Sequence, residues 1–77
     1  MVRAYLLIET MSGKAQEVES SVPQGLSNCK ALAHNIIANE VVVHLHCNSL
    51  DDLNRGVIDI AKKDGVKQIS TFLLKTD

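Results

Sequence analysis

The stretch that spans residues 39–65 limits the possible folds of this chain more than any other part of its sequence. Residues 41–47 form a short apolar run rich in β-branched side chains, which is typical of a mostly buried strand. Ser49 then marks the start of a helix, because its hydroxyl is suited to accept a hydrogen bond from the amide of Asp52. Gly65 supplies the left-handed residue that ends this helix. The sequence therefore predicts a strand that leads directly into a helix of about four turns.

The predicted helix carries one apolar stripe, and the rest of the chain has to cover it. Apolar residues recur in it at spacings of three and four, namely Leu50, Leu53, Val57, Ile60 and Ala61. Gly56 lies within the same helix and predicts a close approach to a sheet or to a partner, because glycine has no side chain to hold the two apart; the alternative is a glycine that the helix simply tolerates.

The start of the chain contains another strand and a second, weaker helix. Residues 4–10 are a continuous apolar run, which predicts a central strand covered on both faces. The helix that follows is capped by Thr10 or Ser12. It ends near Val22, because Pro23 disfavours helical geometry in the residue before it.

The middle and the end of the chain complete a four-stranded pattern. Residues 29–37 precede the apolar strand too closely for a crossover, so they predict a hairpin with Ala38 and Asn39 at its tip. Residues 66–75 are predicted as the last strand. The order β-α-β-β-α-β predicts an α+β, ferredoxin-like fold, in which two helices cover one face of an antiparallel four-stranded sheet. We expect residues 1–77 to form a single domain.

The other face of the sheet is predicted to be covered by a second copy of the chain. A domain of 77 residues buries only about 60% of the surface of its unfolded chain, and association is one way to bury more. Val42 is apolar where a solvent-facing strand position would be polar. We therefore expect a homodimer of the dimeric α/β-barrel type, with the two sheets face to face. The residues expected in its interface are Val42, His44, His46, Phe72 and Leu74.

Charge and hydropathy exclude several classes of protein. The net charge is -1 and the basic residues are scattered, which argues against direct binding of DNA. No apolar run approaches the length of about 18 residues that a membrane span requires. The first residues lack the separate regions of a secretory signal. We therefore expect a cytoplasmic protein that does not act at a membrane.

The chain contains two cysteines, Cys29 and Cys47, and the sequence leaves their pairing open. Disulfides are rare in the cytosol, where a buried cysteine behaves as a small apolar residue. The expected compartment therefore favours two free thiols.

Three histidines are the candidates for metal binding. His44 and His46 share one face of a strand at a spacing that allows two imidazoles to bind one metal ion. His34 reaches them in only one register of the hairpin. Because a third and a fourth ligand are not fixed, we predict no metal and no other cofactor, and we interpret the histidines as polar residues beside the dimer interface. Since histidine titrates near about pH 6.5, they also give the hypothesis that dimerisation depends on pH.

No group of residues in the sequence predicts catalysis. Asp51 and Asp52 are adjacent in the first turn of a helix, so they point in different directions, and their charges suit the N-terminal end of the helix dipole. The glycines stand singly and do not form a phosphate-binding loop. We expect no catalytic residues and no enzyme activity.

Three strings of the sequence resemble one protein family. A-Y-L-L-I-E-T, V-V-V-H-L-H-C-N-S-L-D-D-L-N and G-V-K-Q-I-S-T-F-L-L-K look like parts of the ligand-binding (RAM) domain of the Lrp/AsnC transcription regulators. The resemblance covers nearly the whole chain, in a stand-alone version without the helix-turn-helix domain. It implies a ferredoxin-like fold, dimers joined through their sheets, association of dimers into rings from tetramer to octamer, and binding of a free amino acid between dimers.

The resemblance also implies an effector site. The family carries a Gly-x-Tyr-Asp string in the hairpin before the third strand, and residues 37–40 stand at those positions here, so that the acid is kept as Glu40. A charge in the hairpin that limits strand pairing is the alternative interpretation of Glu40. Thr71 matches a hydroxyl residue of the family's last strand, with Gln68 nearby. The expected effector-binding residues are Asn39, Glu40, Gln68 and Thr71.

The leading interpretation is a non-enzymatic regulatory domain that senses an amino acid or a similar small metabolite through homo-oligomerisation. Its partners would be itself, the metabolite and full-length Lrp/AsnC regulators. One alternative is a chaperone-like module that binds an extended peptide at a sheet edge. Another is a dimeric α/β-barrel enzyme with His44 or His46 in an apolar cavity, which the shortness of the chain and its few aromatic residues disfavour.

Overall fold

The computed structural model describes residues 1–24, 26 and 28–76, with all their side chains except those of 35 and 36. The strands lie in the order β2-β3-β1-β4, and each neighbouring pair is antiparallel. The predicted ferredoxin-like fold is confirmed. The elements are β1 (Val2–Thr10), α1 (Ala15–Ser21), β2 (Cys29–Ile37), β3 (Glu40–Cys47), α2 (Leu50–Ala61) and β4 (Val66–Thr76).

The start and the end of α2 follow the predicted residues. The hydroxyl of Ser49 accepts a hydrogen bond of 3.1 Å from the backbone amide of Asp52. Gly65 has a φ of +92°, a left-handed conformation that favours glycine. A Cβ atom at Gly65 would also lie 2.8 Å from the Cβ of Lys14. This position therefore requires glycine for its backbone and for its surroundings.

The apolar stripe of α2 is narrower than predicted. Leu53 and Ile60 are buried and Val57 is half-buried, but Leu50 is 48% exposed and Ala61 is also exposed. At about 100° per residue, Leu50 and Ala61 lie roughly 60–80° around the helix from Leu53, beyond Val57. They therefore point past the edge of the contact with the sheet, and their predicted burial is wrong.

Gly56 occupies a buried position of α2 on the other side of this stripe. A Cβ atom at Gly56 would lie 3.8 Å from the Sγ of Cys29 and 3.9 Å from the Cδ2 of Leu26. Because Cys29 belongs to β2, the predicted close approach of this helix to the sheet is confirmed.

The predicted caps of α1 are wrong, although its predicted end is correct. A turn in which Gly13 has a φ of +79° separates the helix from β1, so the hydroxyls of Thr10 and Ser12 do not reach its first turn. Lys14 takes the N-cap position without a side-chain hydrogen bond to the helix, and Val22 is the C-cap. None of the helices among the described residues is long and apolar enough to cross a membrane.

Side chains alternate along β1 between the core and the face that the helices leave uncovered. On the uncovered face Leu7 is half-buried and Tyr5 is 41% exposed. The predicted cover on both faces of this strand is therefore not present within a single chain. Every second residue is buried beneath the helices, in the series Val2, Ala4, Leu6, Ile8 and Thr10.

Cys29 and Cys47 are joined by a disulfide, so the prediction of two free thiols is wrong. The β2–β3 hairpin sets the two residues directly opposite each other, with their Cα atoms 4.2 Å apart. Cys47 is buried, and Cys29 is half-buried beside Gly56 of α2. The disulfide therefore closes the end of the hairpin that lies opposite its turn.

Candidate functional site

One depression lies where the end of β1, the tip of the β2–β3 hairpin and the start of β4 meet. The backbone N–H of Thr10 donates a hydrogen bond of 2.8 Å to the carbonyl of Asn39, and that of Met11 donates one of 2.8 Å to the carbonyl of Gly65. These bonds hold the three segments around a space of about 240 Å³. The polar residues that line it are Glu9, Thr10, Asn39, Glu40 and Lys67.

Two carboxylates and one ammonium group surround this depression. Glu9 of β1 and Glu40 of β3 are direct cross-strand partners, so their Cβ atoms lie about 5 Å apart, a distance at which like charges repel. Lys67 has no direct partner on β1, because the register of β4 shifts beside it and leaves it in a bulge. The arrangement suits a ligand that carries an amino group and a carboxylate close together.

The structure brings three of the four predicted effector residues to this end of the sheet. Asn39 and Glu40 line the depression, and Gln68 lies opposite Glu9 on β4. Thr71 is three residues further along β4 and on the helix-covered side of the sheet. Because a strand advances about 3.4 Å per residue, Thr71 is roughly 10 Å from Gln68 and does not join the depression.

Sequence reasoning does not find Glu9 and Lys67. In the sequence Glu9 is an isolated acid at the end of a strand, and its pairing with Glu40 depends on the register of β1 against β3. The position of Lys67 beside the depression depends on a bulge in β4, and no residue of this strand predicts that bulge from the sequence. The one available signal in the sequence is that an acid, Glu9, follows the apolar run of β1, and that another acid, Glu40, follows the hairpin tip.

The second candidate surface is the open face, which we define as the side of the sheet that the helices leave uncovered. Its side chains form four rows that run across β2, β3, β1 and β4. The basic row is Lys30, His46, Arg3 and Lys75; the aromatic row is Leu32, His44, Tyr5 and Phe72; the aliphatic row is His34, Val42, Leu7 and Ser70; and the acidic row is Glu40, Glu9 and Gln68, with the apolar Ile37 opposite Glu40 on β2.

Four of the five residues predicted for the dimer interface lie on the open face. They are Val42, His44 and His46 of β3 and Phe72 of β4. Leu74 has no direct partner on β1, because the register of β4 shifts at this point. The regular alternation that would set Leu74 on the same face as Phe72 is therefore interrupted by a bulge.

His44 lies near the middle of the open face and is partly enclosed. Its ring centroid is 4.7 Å from that of Tyr5 and 4.4 Å from that of His46. Its Nε2 atom is buried and has no hydrogen-bond partner among the described residues. Burial of the ring lowers the pKa of His44 from its usual value of 6.5, and the positive charges of His46 and Arg3 lower this pKa further. The groups on β2 that face it are Leu32, Lys30 and His34.

We expect acidification to destabilise the folded chain through His44. An unfolded histidine takes up a proton as the pH falls through about 6.5, whereas folded His44 stays neutral to a lower pH. Between these two pKa values the unfolded state binds more protons, so the free energy of unfolding decreases as the pH falls. Above the unfolded pKa this contribution is fully present. Urea unfolding at several pH values between about 7.5 and 5 measures this decrease in the free energy of unfolding.

The matched variants for this measurement are His44→Gln and His34→Gln. The first is expected to reduce the loss of stability on acidification, and the second is expected to retain it, because the Nε2 atom of His44 is buried without a partner whereas His34 is exposed. An unchanged pH dependence in His44→Gln would contradict the assignment.

The three histidines do not form a metal site in the structure. The hairpin has the one register in which His34 lies on the same face as His44 and His46, so all three histidines share the open face. Within the described part of the chain, however, no group of three or more histidine, cysteine, aspartate or glutamate side chains is arranged to hold a metal ion.

Comparison with known proteins addresses the fold. No protein-family model matches the chain, and no curated protein matches it. The crystal structure of a hypothetical protein from Pyrococcus horikoshii is similar to this chain, with a TM-score of 0.82 and 24% sequence identity. The similarity covers 100% of this chain and 93% of the other. At this identity the match shows a shared fold alone.

Proposed function

We propose that this chain is a homo-oligomeric, non-catalytic domain of the Lrp/AsnC ligand-binding type that senses a free amino acid or a similar small zwitterion. The observation that carries the proposal is the position of Glu9, Glu40 and Lys67 around one depression. The ligand stabilises one assembly state over another, and mixed assembly with full-length regulators transmits the signal.

The chemistry of the depression matches both ends of an amino acid. The carboxylates of Glu9 and Glu40 repel each other, so an ammonium group between them gains two charge-assisted hydrogen bonds and relieves that repulsion. The ammonium group of Lys67 binds the ligand's carboxylate, and the amide of Asn39 supplies a neutral donor and acceptor. The side chain of the ligand extends towards solvent or towards a neighbouring copy.

The open face supports the oligomeric part of the proposal. Leu32 is 64% exposed and Phe72 is 55% exposed at the two ends of the aromatic row, with Tyr5 between them. Tyr5 and Phe72 are direct cross-strand partners and Leu7 lies on the same face, and a contiguous apolar patch of this kind marks an interaction site on a small domain. Dimerisation through it leaves the hairpin tips at the periphery, where further association into rings brings ligand sites between dimers.

A second candidate function is the binding of an extended peptide at the free edge of β4. This strand lies at the edge of the sheet, and Leu73 and Leu74 near its end are 50% and 49% exposed. An unpaired edge with apolar side chains accepts another strand by backbone hydrogen bonding.

Free amino acids are expected to raise the melting temperature of the chain if the proposal is correct. A ligand present at about 100 times its dissociation constant adds about 2.7 kcal/mol to the free energy of unfolding. In a domain of this size that corresponds to an increase of roughly 10 °C or more. The measurement is thermal unfolding at fixed protein concentration against a panel of amino acids. Each one is compared with an amine that lacks the carboxylate and an acid that lacks the amine.

Glu40→Ala is expected to abolish the shift, and Asp59→Ala is the control. Asp59 is an exposed acid of α2 that does not line the depression, so its loss removes the same charge elsewhere. A panel without any shift would refute the sensing function and favour peptide binding. A shift that survives in Glu40→Ala would place the ligand elsewhere on the chain.

A further inference from the structure

We propose that two copies of the chain join open face to open face with their strands antiparallel, so that the basic row of each copy lies over the acidic row of the other. In this arrangement Arg3 of each copy forms an ion pair with Glu9 of the second copy. The inference rests on the proposed homodimer and adds its orientation and its charge contacts.

The charges of the open face are segregated along the strands. Lys30, Arg3 and Lys75 lie in the row at one end, whereas Glu40 and Glu9 lie in the row at the other end, where Lys67 of the β4 bulge offsets one of their two negative charges. The two rows between them, aromatic and aliphatic, hold no carboxylate and no lysine or arginine. A surface that is positive at one end, apolar in the middle and negative at the other end is complementary to a reversed copy of itself.

Two-fold symmetry allows this reversal in one way. For two sheets to meet face to face, the axis must lie in the plane between them. An axis perpendicular to the strands sets each strand over its own copy in the opposite direction. When it passes above Leu6, it sets Arg3 over Glu9 and Tyr5 over Leu7 of the second copy. Aligned sheets cross at about 30°, so the two central strands, β3 and β1, depart least from this register.

The same axis matches the two uncharged rows. On β3 it brings His44 over Val42 of the second copy. On β4 it brings Phe72 over Ser70. The aromatic row of each copy therefore meets the aliphatic row of the other, and on β3, β1 and β4 a large side chain faces a smaller one, as in an interdigitated core.

The other simple orientation is unfavourable. An axis parallel to the strands sets like rows over each other, with the basic row facing a basic row and Glu9 facing Glu40 of the second copy. Like charges brought together across an interface oppose association and exclude wrong registers. The charge pattern thus selects the reversed arrangement.

The orientation also joins the interface to the depression. Arg3 of the second copy pairs with one oxygen of the Glu9 carboxylate, which leaves the other oxygen for the ligand's ammonium group, and His46 of that copy approaches Glu40. A carboxylate has two oxygens, so Glu40 accepts from this imidazole and from a ligand's ammonium group together. Ligand binding and dimerisation are therefore linked at the acidic row.

The test exchanges charges at the central pair. Arg3→Glu alone sets two acids against each other across the interface, and Glu9→Arg alone sets two bases against each other. Each single variant is expected to dimerise at least about tenfold more weakly than the wild type. An equimolar mixture of the two variants is expected to form a heterodimer of near wild-type affinity, because every contact in it is again between opposite charges. The double variant Arg3→Glu/Glu9→Arg is expected to recover a homodimer.

Sedimentation equilibrium over a dilution series and native mass spectrometry measure these outcomes, with circular dichroism to verify folding. Arg3 and Glu9 are exposed, so the folded state of each chain is expected to survive both changes. A wild-type chain that stays monomeric overturns the proposed homodimer itself. A wild-type dimer whose single variants associate normally, or whose mixture and double variant stay monomeric, overturns the orientation alone.

Discussion

Reduction of the Cys29–Cys47 disulfide is expected to lower the free energy of unfolding by about 3 kcal/mol. The two cysteines are separated by 18 positions in sequence, and the cross-link removes conformational freedom from the unfolded chain in proportion to the logarithm of that length. In a small domain this loss lowers the melting temperature by more than about 10 °C. Calorimetry with and without a phosphine reductant, at one protein concentration, measures the difference.

The control for this experiment is the variant Cys29→Ala/Cys47→Ala. Its melting temperature is expected to equal that of the reduced wild type and to be the same with and without the reductant. Alkylation before reduction counts the free thiols. Two alkylated thiols in the untreated wild type, together with a melting temperature that the reductant does not change, would show that the protein carries no such link in solution.

The elements of the fold are predictable from the sequence because each is specified locally. The hydroxyl of Ser49 accepts a hydrogen bond from the amide of Asp52 at the start of α2, and Gly65 takes the left-handed conformation just after its end. Both signals lie within about one turn of the helix that they delimit. The hairpin tip at Asn39 is equally local, since its φ of +66° is one that asparagine tolerates. Local agreement of this kind fixes the order of elements, and the order fixes the fold class.

The candidate site is less predictable, because it depends on the register between strands that are distant in sequence. Glu9 meets Glu40 only in the observed pairing of β1 with β3, and a slip of one residue would turn one of the two carboxylates to the other face of the sheet. Apolar periodicity assigns a residue to a face but does not identify its neighbour across the ladder. The charged rows of the open face therefore appear only when all three ladders are known.

The cysteines show a different limit. The preference for free thiols rests on the expected compartment, whereas the disulfide follows from a hairpin register that makes Cys29 and Cys47 direct partners. Compartment is a property of the cell and register is a property of the chain. For a pair of residues already opposite each other within a hairpin, the register decides whether they can meet.

The apolar run of β1 leads to the second large prediction, which concerns two adjacent leucines. Leu6 is completely buried beneath the helices, whereas Leu7 is half-buried on the open face. Leu6→Ala is expected to lower the free energy of unfolding by about 2–5 kcal/mol, because it leaves a cavity in the core. Leu7→Ala is expected to weaken dimerisation by about tenfold or more, because it removes a contact near the centre of the proposed interface.

The two variants differ by one position, lose the same atoms and share one strand, so each is the control for the other. Urea unfolding measured well below the dissociation constant of the dimer reports the monomer, where only Leu6→Ala is expected to be strongly destabilised. Sedimentation of the folded chains measures the dissociation constant of the dimer, which only Leu7→Ala is expected to increase strongly. Equal effects of both variants on unfolding and none on association would mean that the open face is not an interface. The alternation of β1 would then serve only to separate core from solvent, and the apolar rows of the open face would lack the partner proposed for them.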